Sequence, residues 1–317
     1  MRLISLVPTN TKINFLKFRK IAAVFSLLLC VASAGIFSAK GLNFGIDFRG
    51  GILIEIRTQG PADISKLRGT LSGLGLGEVQ LQEFGQASDV LIRIERQAGG
   101  EKAQLVAVEL AKKALGNEVN YRRTEFVGPK VGGELIEAGV TAVLLALGAM
   151  LVYIWFRFEW QFGVGAVVAL LHDVLLTIGI FALLGLEFNL STVAAILTIA
   201  GYSINDTVVV YDRVRENLRK YKQMPLTELL NVSINGTLSR TLLTSVTTLL
   251  ALSALYFFGG EVLAGFSFAM IWGVIVGTYS SIFIAVPLLV YMKLRRTGLI
   301  VGDTNGDDAA AAGKSAN

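Results

Sequence analysis

The chain is poor in the residues that soluble enzymes use for chemistry. Its 317 residues include one cysteine and one histidine, and only 17% are charged. A lone cysteine, Cys30, forms no internal disulfide. One histidine and one cysteine assemble no Cys/His metal cluster. No glycine-rich nucleotide loop is present, and no nucleophile stands near a histidine outside the apolar runs. These absences argue against a classical enzyme, and no cofactor or metal is expected. Basic residues interleaved with aromatics are also missing, so the net charge of +5 does not point to nucleic acid.

Apolar surface is what the chain has in excess, at 53% hydrophobic residues. A soluble domain carries about a quarter charged residues and about 45–50% apolar ones. The surplus needs a nonaqueous solvent. A helix crosses the hydrocarbon core in about 20 apolar residues. Six runs qualify: Ile21–Ser38, Ala138–Phe156, Phe162–Leu186, Leu190–Tyr211, Leu242–Phe258 and Val262–Met292. The expected fold is therefore a polytopic α-helical membrane protein with six transmembrane helices. The last run is longer than a span needs, and Pro287 is expected to bend its end. Lys17, Arg19 and Lys20 resemble the charged region of a signal peptide, and Ala32-Ser33-Ala34 resembles its cleavage site. The expectation is that the segment is retained as the first span.

Lysine and arginine set the orientation. They occur before span one (Arg2, Lys12, Lys17, Arg19, Lys20), after span two (Arg157), after span four (Arg213, Arg215, Arg219, Lys220, Lys222) and after span six (Lys293, Arg295, Arg296). The turns Gly185–Asn189 and Gly259–Glu261 carry none. Both termini are thus expected in the cytoplasm of a cell with an inner membrane. Residues 1–20 read as a cytoplasmic segment, 21–38 as the first span and 39–133 as a periplasmic domain. Residues 134–298 read as spans two to six with a basic elbow at Arg213–Leu230, and 299–317 as a disordered tail.

The external segment alternates strand and helix patterns. Gly51–Thr58, Val79–Phe84, Val90–Glu95 and Val119–Val127 read as strands. Helical runs lie between Asp63 and about Leu74, and over Glu101–Leu115. The order βαββαβ points to a small α+β ferredoxin-like domain.

Few ionisable residues lie within the spans, and such residues normally face a bundle interior. They are His172 and Asp173 in span three, Asp206 in span four and Arg240 at the start of span five. Thr198, Tyr202 and Asp206 recur every four residues, as do Arg240, Thr244 and Thr248. This spacing stacks side chains on one helix face. Spans four and five run antiparallel, so Asp206 and Arg240 can meet at similar depth. A fixed ion pair locking two helices fits this pattern, and so does a proton relay. Gly273 and Gly277 form a GxxxG motif, a candidate close-packing face or dimer contact.

The sequence Gly41-Leu42-Asn43-Phe44-Gly45-Ile46-Asp47-Phe48-Arg49-Gly50-Gly51 follows span one directly. Leu171-His172-Asp173-Val174 lies in span three, Gly201–Arg213 closes span four, and Ser239-Arg240-Thr241 with Thr244-Ser245 opens span five. Together these resemble the SecF family of bacterial Sec translocase subunits, within the RND transporter superfamily. The short external segment favours this branch over the SecD branch. The resemblance implies six spans of RND type and a complex with SecD. It further implies association with the SecYEG channel and YajC, contact with membrane lipids and exported unfolded polypeptides, and export driven by the proton motive force. It implies a proton relay of Asp206, Arg240 and Thr244, with His172, Asp173, Tyr202, Thr198 and Thr248 as a polar path beside it. Gly45, Asp47, Arg49, Gly50 and Gly51 would form the periplasmic junction; a simpler, architectural reading has Asp47 pair with Arg49 while the glycines permit a tight strand entry. Two other classes stay open: half of an RND-type small-molecule exporter, and a purely structural subunit that stabilises the translocon.

Overall fold

In a computed structural model, residues 11–116, 118–292 and 294 are described. The basic residues Arg2, Lys293, Arg295 and Arg296, and the tail 299–317, lie outside them. Among the described residues six helices are long and apolar enough to cross a membrane: Phe15–Lys40, Gly132–Arg157, Trp160–Leu184, Leu190–Lys220, Leu226–Phe258 and Leu263–Tyr291. Helices suit this setting because they satisfy every backbone polar group without water. Two compact units divide the chain. The first takes in the chain up to Gly41, Leu145–Leu186 and the chain from Ala194 onward. The second takes in Leu42–Leu144 and Glu187–Val193.

In the first unit, α1 (Arg19–Lys40), the end of α5 (Pro129–Arg157), α6 (Trp160–Leu184), most of α7 (Leu190–Lys220), α8 (Leu226–Phe258) and α9 (Glu261–Ser280) pack together. Aromatic rings anchor one end of the core. Phe162 meets Tyr211 edge-on at 5.0 Å, and the Tyr211 hydroxyl donates to the Ala285 carbonyl at 3.1 Å. Gly165 leaves room for that hydroxyl. The glycines of the GxxxG motif also serve packing inside the chain: a Cβ on Gly273 would strike Ile199, and one on Gly277 would meet Ser203 at 3.2 Å. The space a dimer contact would need at these glycines is filled by α7.

Two features go beyond the apolar runs. The basic elbow Arg213–Leu230 is mostly helical: α7 continues to Lys220 and α8 starts at Leu226, with Asn217 donating to Ser233 across the pair at 2.9 Å. The start of α8 escapes a search for apolar runs because it carries Glu228, Asn231, Asn235 and Arg240. The sixth span changes register before its proline. After α9 comes a π-helical turn, Ser281–Ala285, and then α10 (Val286–Tyr291). Pro287 has no N–H for the Phe283 carbonyl, and a π turn absorbs that mismatch.

The second unit is built on a four-stranded antiparallel sheet of order β3-β4-β2-β5. Its strands are β2 (Gly51–Thr58), β3 (Val79–Phe84), β4 (Gln86–Ile94) and β5 (Val119–Val127). Helices α3 (Ile64–Ser72) and α4 (Gly100–Leu115) supply Leu71, Ala107, Ala111 and Leu115 to a core with Ile52, Ile54 and Ile56. Alternation places Leu53, Glu55 and Arg57 on the other face. There Arg57 forms a two-pronged pair with buried Asp89, at 2.5 and 2.6 Å. Two short segments, β1 (Asn43–Phe44) and β6 (Glu187–Phe188), pair in parallel, and Arg93 ties them to the sheet through Asn43 and Glu187 at 2.8 and 2.9 Å. The helix α5 begins at Pro129, inside the segment read from sequence as external.

Candidate functional site

Two buried carboxylates form the polar centre of the helical unit. Asp173, on α6, has no exposed surface. Its Oδ2 accepts from Ser203 on α7 at 2.6 Å and from Ser280 at the end of α9 at 2.7 Å. Its Oδ1 shares a hydrogen bond of 2.9 Å with His172 Nδ1. Asp206, on α7, is also buried; Oδ1 accepts from Thr241 on α8 at 2.7 Å, and Oδ2 accepts from Ser281. Ser280 and Ser281 are consecutive, where α9 passes into the π turn. Neighbouring residues on a helix point about 100° apart. The two serines therefore reach different acids, and Ser203 stands one turn before Asp206. The result is one linked cluster across four helices.

An unpaired carboxylate inside a membrane protein is costly, and hydroxyl donors offset that cost. Hydroxyls also rotate: each donates to a carboxylate or accepts from a carboxylic acid. A cluster of this kind can keep its acids hydrogen-bonded in either protonation state, with a different pattern of bonds between the helices in each. It offers carboxyl and hydroxyl groups between which a proton can be taken up and released.

Arg240 is near enough for its charge to act on Asp206, but not in direct contact. No ion pair within 4.0 Å joins it to Asp206 among the described residues, and its side chain is exposed. Its neighbour Thr241 faces Asp206 instead. Thr244 is exposed and donates to its own helix, to the Arg240 and Thr241 carbonyls at 3.1 and 2.9 Å. Thr198 does the same to Ala194 at 2.8 Å, and Thr248 is half-buried. Tyr202 reaches Ser245 at 3.4 Å, and Ser245 bonds Thr278 at 2.7 Å. His172 Nε2 is buried without a partner, and its ring lies 6.1 Å from that of Tyr279. Sequence reading finds the acids; Ser203 and Thr241 enter it only as members of the motifs around Asp206 and Arg240, without a role, and Ser280 and Ser281 are missed, their one signal being two adjacent serines in an apolar run.

The junction residues belong to the second unit. Asp47 does not pair with Arg49; its Oδ2 accepts from the Leu190 N–H at 2.9 Å, at the first residue of α7. That N–H has no partner within the helix, and the positive end of the helix dipole favours a carboxylate there. Gly45 packs against Glu187, and a Cβ on Gly51 (φ +114°) would lie 2.6 Å from the Ile94 carbonyl. Gly50 also has positive φ, at +70°. Arg49 is exposed and lines a cavity of about 400 Å³ with Arg93 and Arg96.

The family of protein export membrane proteins SecD/SecF matches by its C-terminal region over residues 107–295, and its GG motif matches over residues 35–62. The chain belongs to the SecD/SecF family. It is 49% identical over 295 residues to the protein translocase subunit SecF of Rickettsia rickettsii, covering 92% of this chain and 95% of that one. It is 50% identical over 288 residues to the SecF of Rickettsia bellii, covering 90% and 94%. The fold matches the crystal structure of SecDF, a translocon-associated membrane protein from Thermus thermophilus, with TM-score 0.82 and 40% identity. That match covers 92% of this chain and 40% of the longer SecDF chain. A second SecDF structure, in a super-membrane-facing form, matches with TM-score 0.66 at 40% identity. Both the GG motif and most of the helical unit of this SecD/SecF member thus fall within matched regions.

Proposed function

We propose that the chain is the SecF subunit of a protein translocase, and that it uses the proton motive force to assist protein export. One observation carries the proton reading: Asp206 is buried in the helical core and bonded only by hydroxyls. A proton entering from the outer side neutralises Asp206. One of the Thr241 and Ser281 hydroxyls then turns from donor to acceptor of the new O–H while the other still donates to the C=O, the charge that strengthened both bonds is gone, the hold of α7 on α8 and the π turn weakens, and the helices repack. Asp173, bonded to His172 and to Ser280, the neighbour of Ser281, extends the polar path, and Arg240 and Thr244 act from the exposed face of α8. The repacking moves the external domain, which holds or releases the exported unfolded polypeptide.

The complex contains SecD and works with SecYEG and YajC. Exposed Arg240, Thr244 and Thr247 on α8, and exposed Thr198 and Asn205 on α7, support a partner: lipid is a poor neighbour for this polar face, and a second six-helix subunit would cover it. The two halves would form the twelve spans of an RND-type assembly. The chain sits in the inner membrane with both termini cytoplasmic, as the lysine and arginine distribution supports. Residues 39–133 form the periplasmic domain, and the βαββαβ order with sheet order β3-β4-β2-β5 supports a ferredoxin-like sandwich.

The test replaces Asp206 with Asn and measures proton-stimulated export in membrane vesicles, with assembly of the complex verified. The expected outcome is loss of the proton-dependent component. Arg240→Lys is expected to impair it too, because lysine lacks the fixed fork of donors. Full stimulation in the assembled Asp206→Asn complex would favour a purely structural subunit.

A further inference from the structure

The ends of spans two and four line an open cavity of about 510 Å³, formed by Arg157 and by Asp212, Arg215, Glu216, Arg219 and Lys220. Its level relative to a bilayer follows from the helices that form it. Arg157 is the last residue of one apolar helix, and Trp160 is the first of the next. Around this turn Trp155, Phe156 and Trp160 are 74%, 87% and 62% exposed. Large aromatics at such a boundary mark the headgroup level of a membrane.

The charges do not cancel. Asp212 pairs with Arg157 at 2.8 Å, and Glu216 pairs with Arg213 at 2.6 Å. Among the described residues Arg215, Arg219 and Lys220 pair with no carboxylate. Arg215 is held in place: its guanidinium stacks 5.4 Å over the Phe158 ring, and Nη1 donates to the Arg157 carbonyl at 3.2 Å. Its Nε is buried without a partner. Arg215 and Arg219 are four residues apart, on one face of α7. Preorganised guanidinium groups suit the oxygens of a phosphate.

We propose that this cavity binds the headgroup phosphate of an anionic phospholipid. Arg215 and Arg219 hold the phosphate, Lys220 adds charge, and the acyl chains run along the apolar surface beside Trp155 and Trp160. A free anion uses the cations but not the aromatic rim, which is why the lipid is the better occupant. The proposal rests on the multi-pass membrane reading of the chain and is independent of the proton relay.

The test places the full-length chain in mixed micelles of phosphatidylglycerol and phosphatidylcholine at equal mole fraction. Native mass spectrometry then counts the lipids retained. The wild type is expected to retain phosphatidylglycerol selectively. Arg215→Gln with Arg219→Gln should reduce that selectivity by about fivefold for each arginine removed. Glu216→Gln, at an exposed position, should increase it. No selectivity in the wild type, unchanged selectivity in the double variant, or no increase in Glu216→Gln overturns the proposal. So does displacement of the lipid by inorganic phosphate at matched ionic strength, which would mark a site for free anions.

Discussion

At Asp206 each carboxylate oxygen has a hydroxyl donor, Thr241 on one side and Ser281 on the other. Thr241→Val keeps the shape and removes one donor. The buried oxygen then lacks its partner, so stability should fall by roughly 1–3 kcal/mol, seen as a lower thermal midpoint in detergent. At constant assembly, proton-stimulated export should fall as well. In the small domain, Asp89 gives a pH signature. The hydrogen-bonded guanidinium of Arg57 holds the Asp89 carboxyl below the usual range. A depressed folded value means the pair stabilises the domain above the unfolded carboxylate range, near pH 4, and the benefit is lost as pH falls through the lower folded value. Asp89→Asn should therefore destabilise β2 and β4 at pH 7 by roughly 1–2 kcal/mol, a figure reduced by solvent at the partly exposed arginine. The difference should shrink as pH falls through the lower folded value. Amide hydrogen exchange in the full chain, corrected for intrinsic rates, checks both. The acids are legible in sequence because a charge stands out in an apolar run. Their donors are not, because serine and threonine occur throughout membrane helices and bond equally well to their own backbone, as Thr198 and Thr244 do.

Among the elements, the π turn at Ser281–Ala285 deserves a test of its own, since it sets which serine meets which acid. Pro287→Ala restores the missing N–H and lets α9 and α10 join as one α-helix. The register then shifts, and Ser281 rotates away from Asp206. The expected result is an assembled complex with weakened proton-stimulated export; wild-type export would show that the turn is incidental. The proline announces a disturbance in sequence, but not that it falls ahead of Pro287 as a wider turn. Strands β2, β3 and β5 were visible because apolar alternation and flanking glycines bound them closely. The start of α8 was hidden by its polar residues, and the pairing of β1 with β6 joins segments too short to carry any periodicity.

For the whole molecule, six apolar runs are enough to announce a polytopic membrane protein, because hydrocarbon thickness fixes helix length. They do not say which faces meet. Helix Gly132–Arg157 has little of its apolar surface buried within the chain, and α8 keeps Arg240, Thr244 and Thr247 exposed. Those faces concern lipid and partner subunits, which a single sequence does not encode. The proton reading depends on Asp206 changing its protonation state within the assembled complex. Infrared difference spectroscopy of that complex, recorded across a pH jump, measures this directly through the carboxylic acid C=O stretch. A protonated-carboxyl band that is absent in Asp206→Asn and retained in Asp89→Asn is the predicted result. A difference spectrum unchanged by Asp206→Asn would show that this carboxyl neither takes up nor releases the proton.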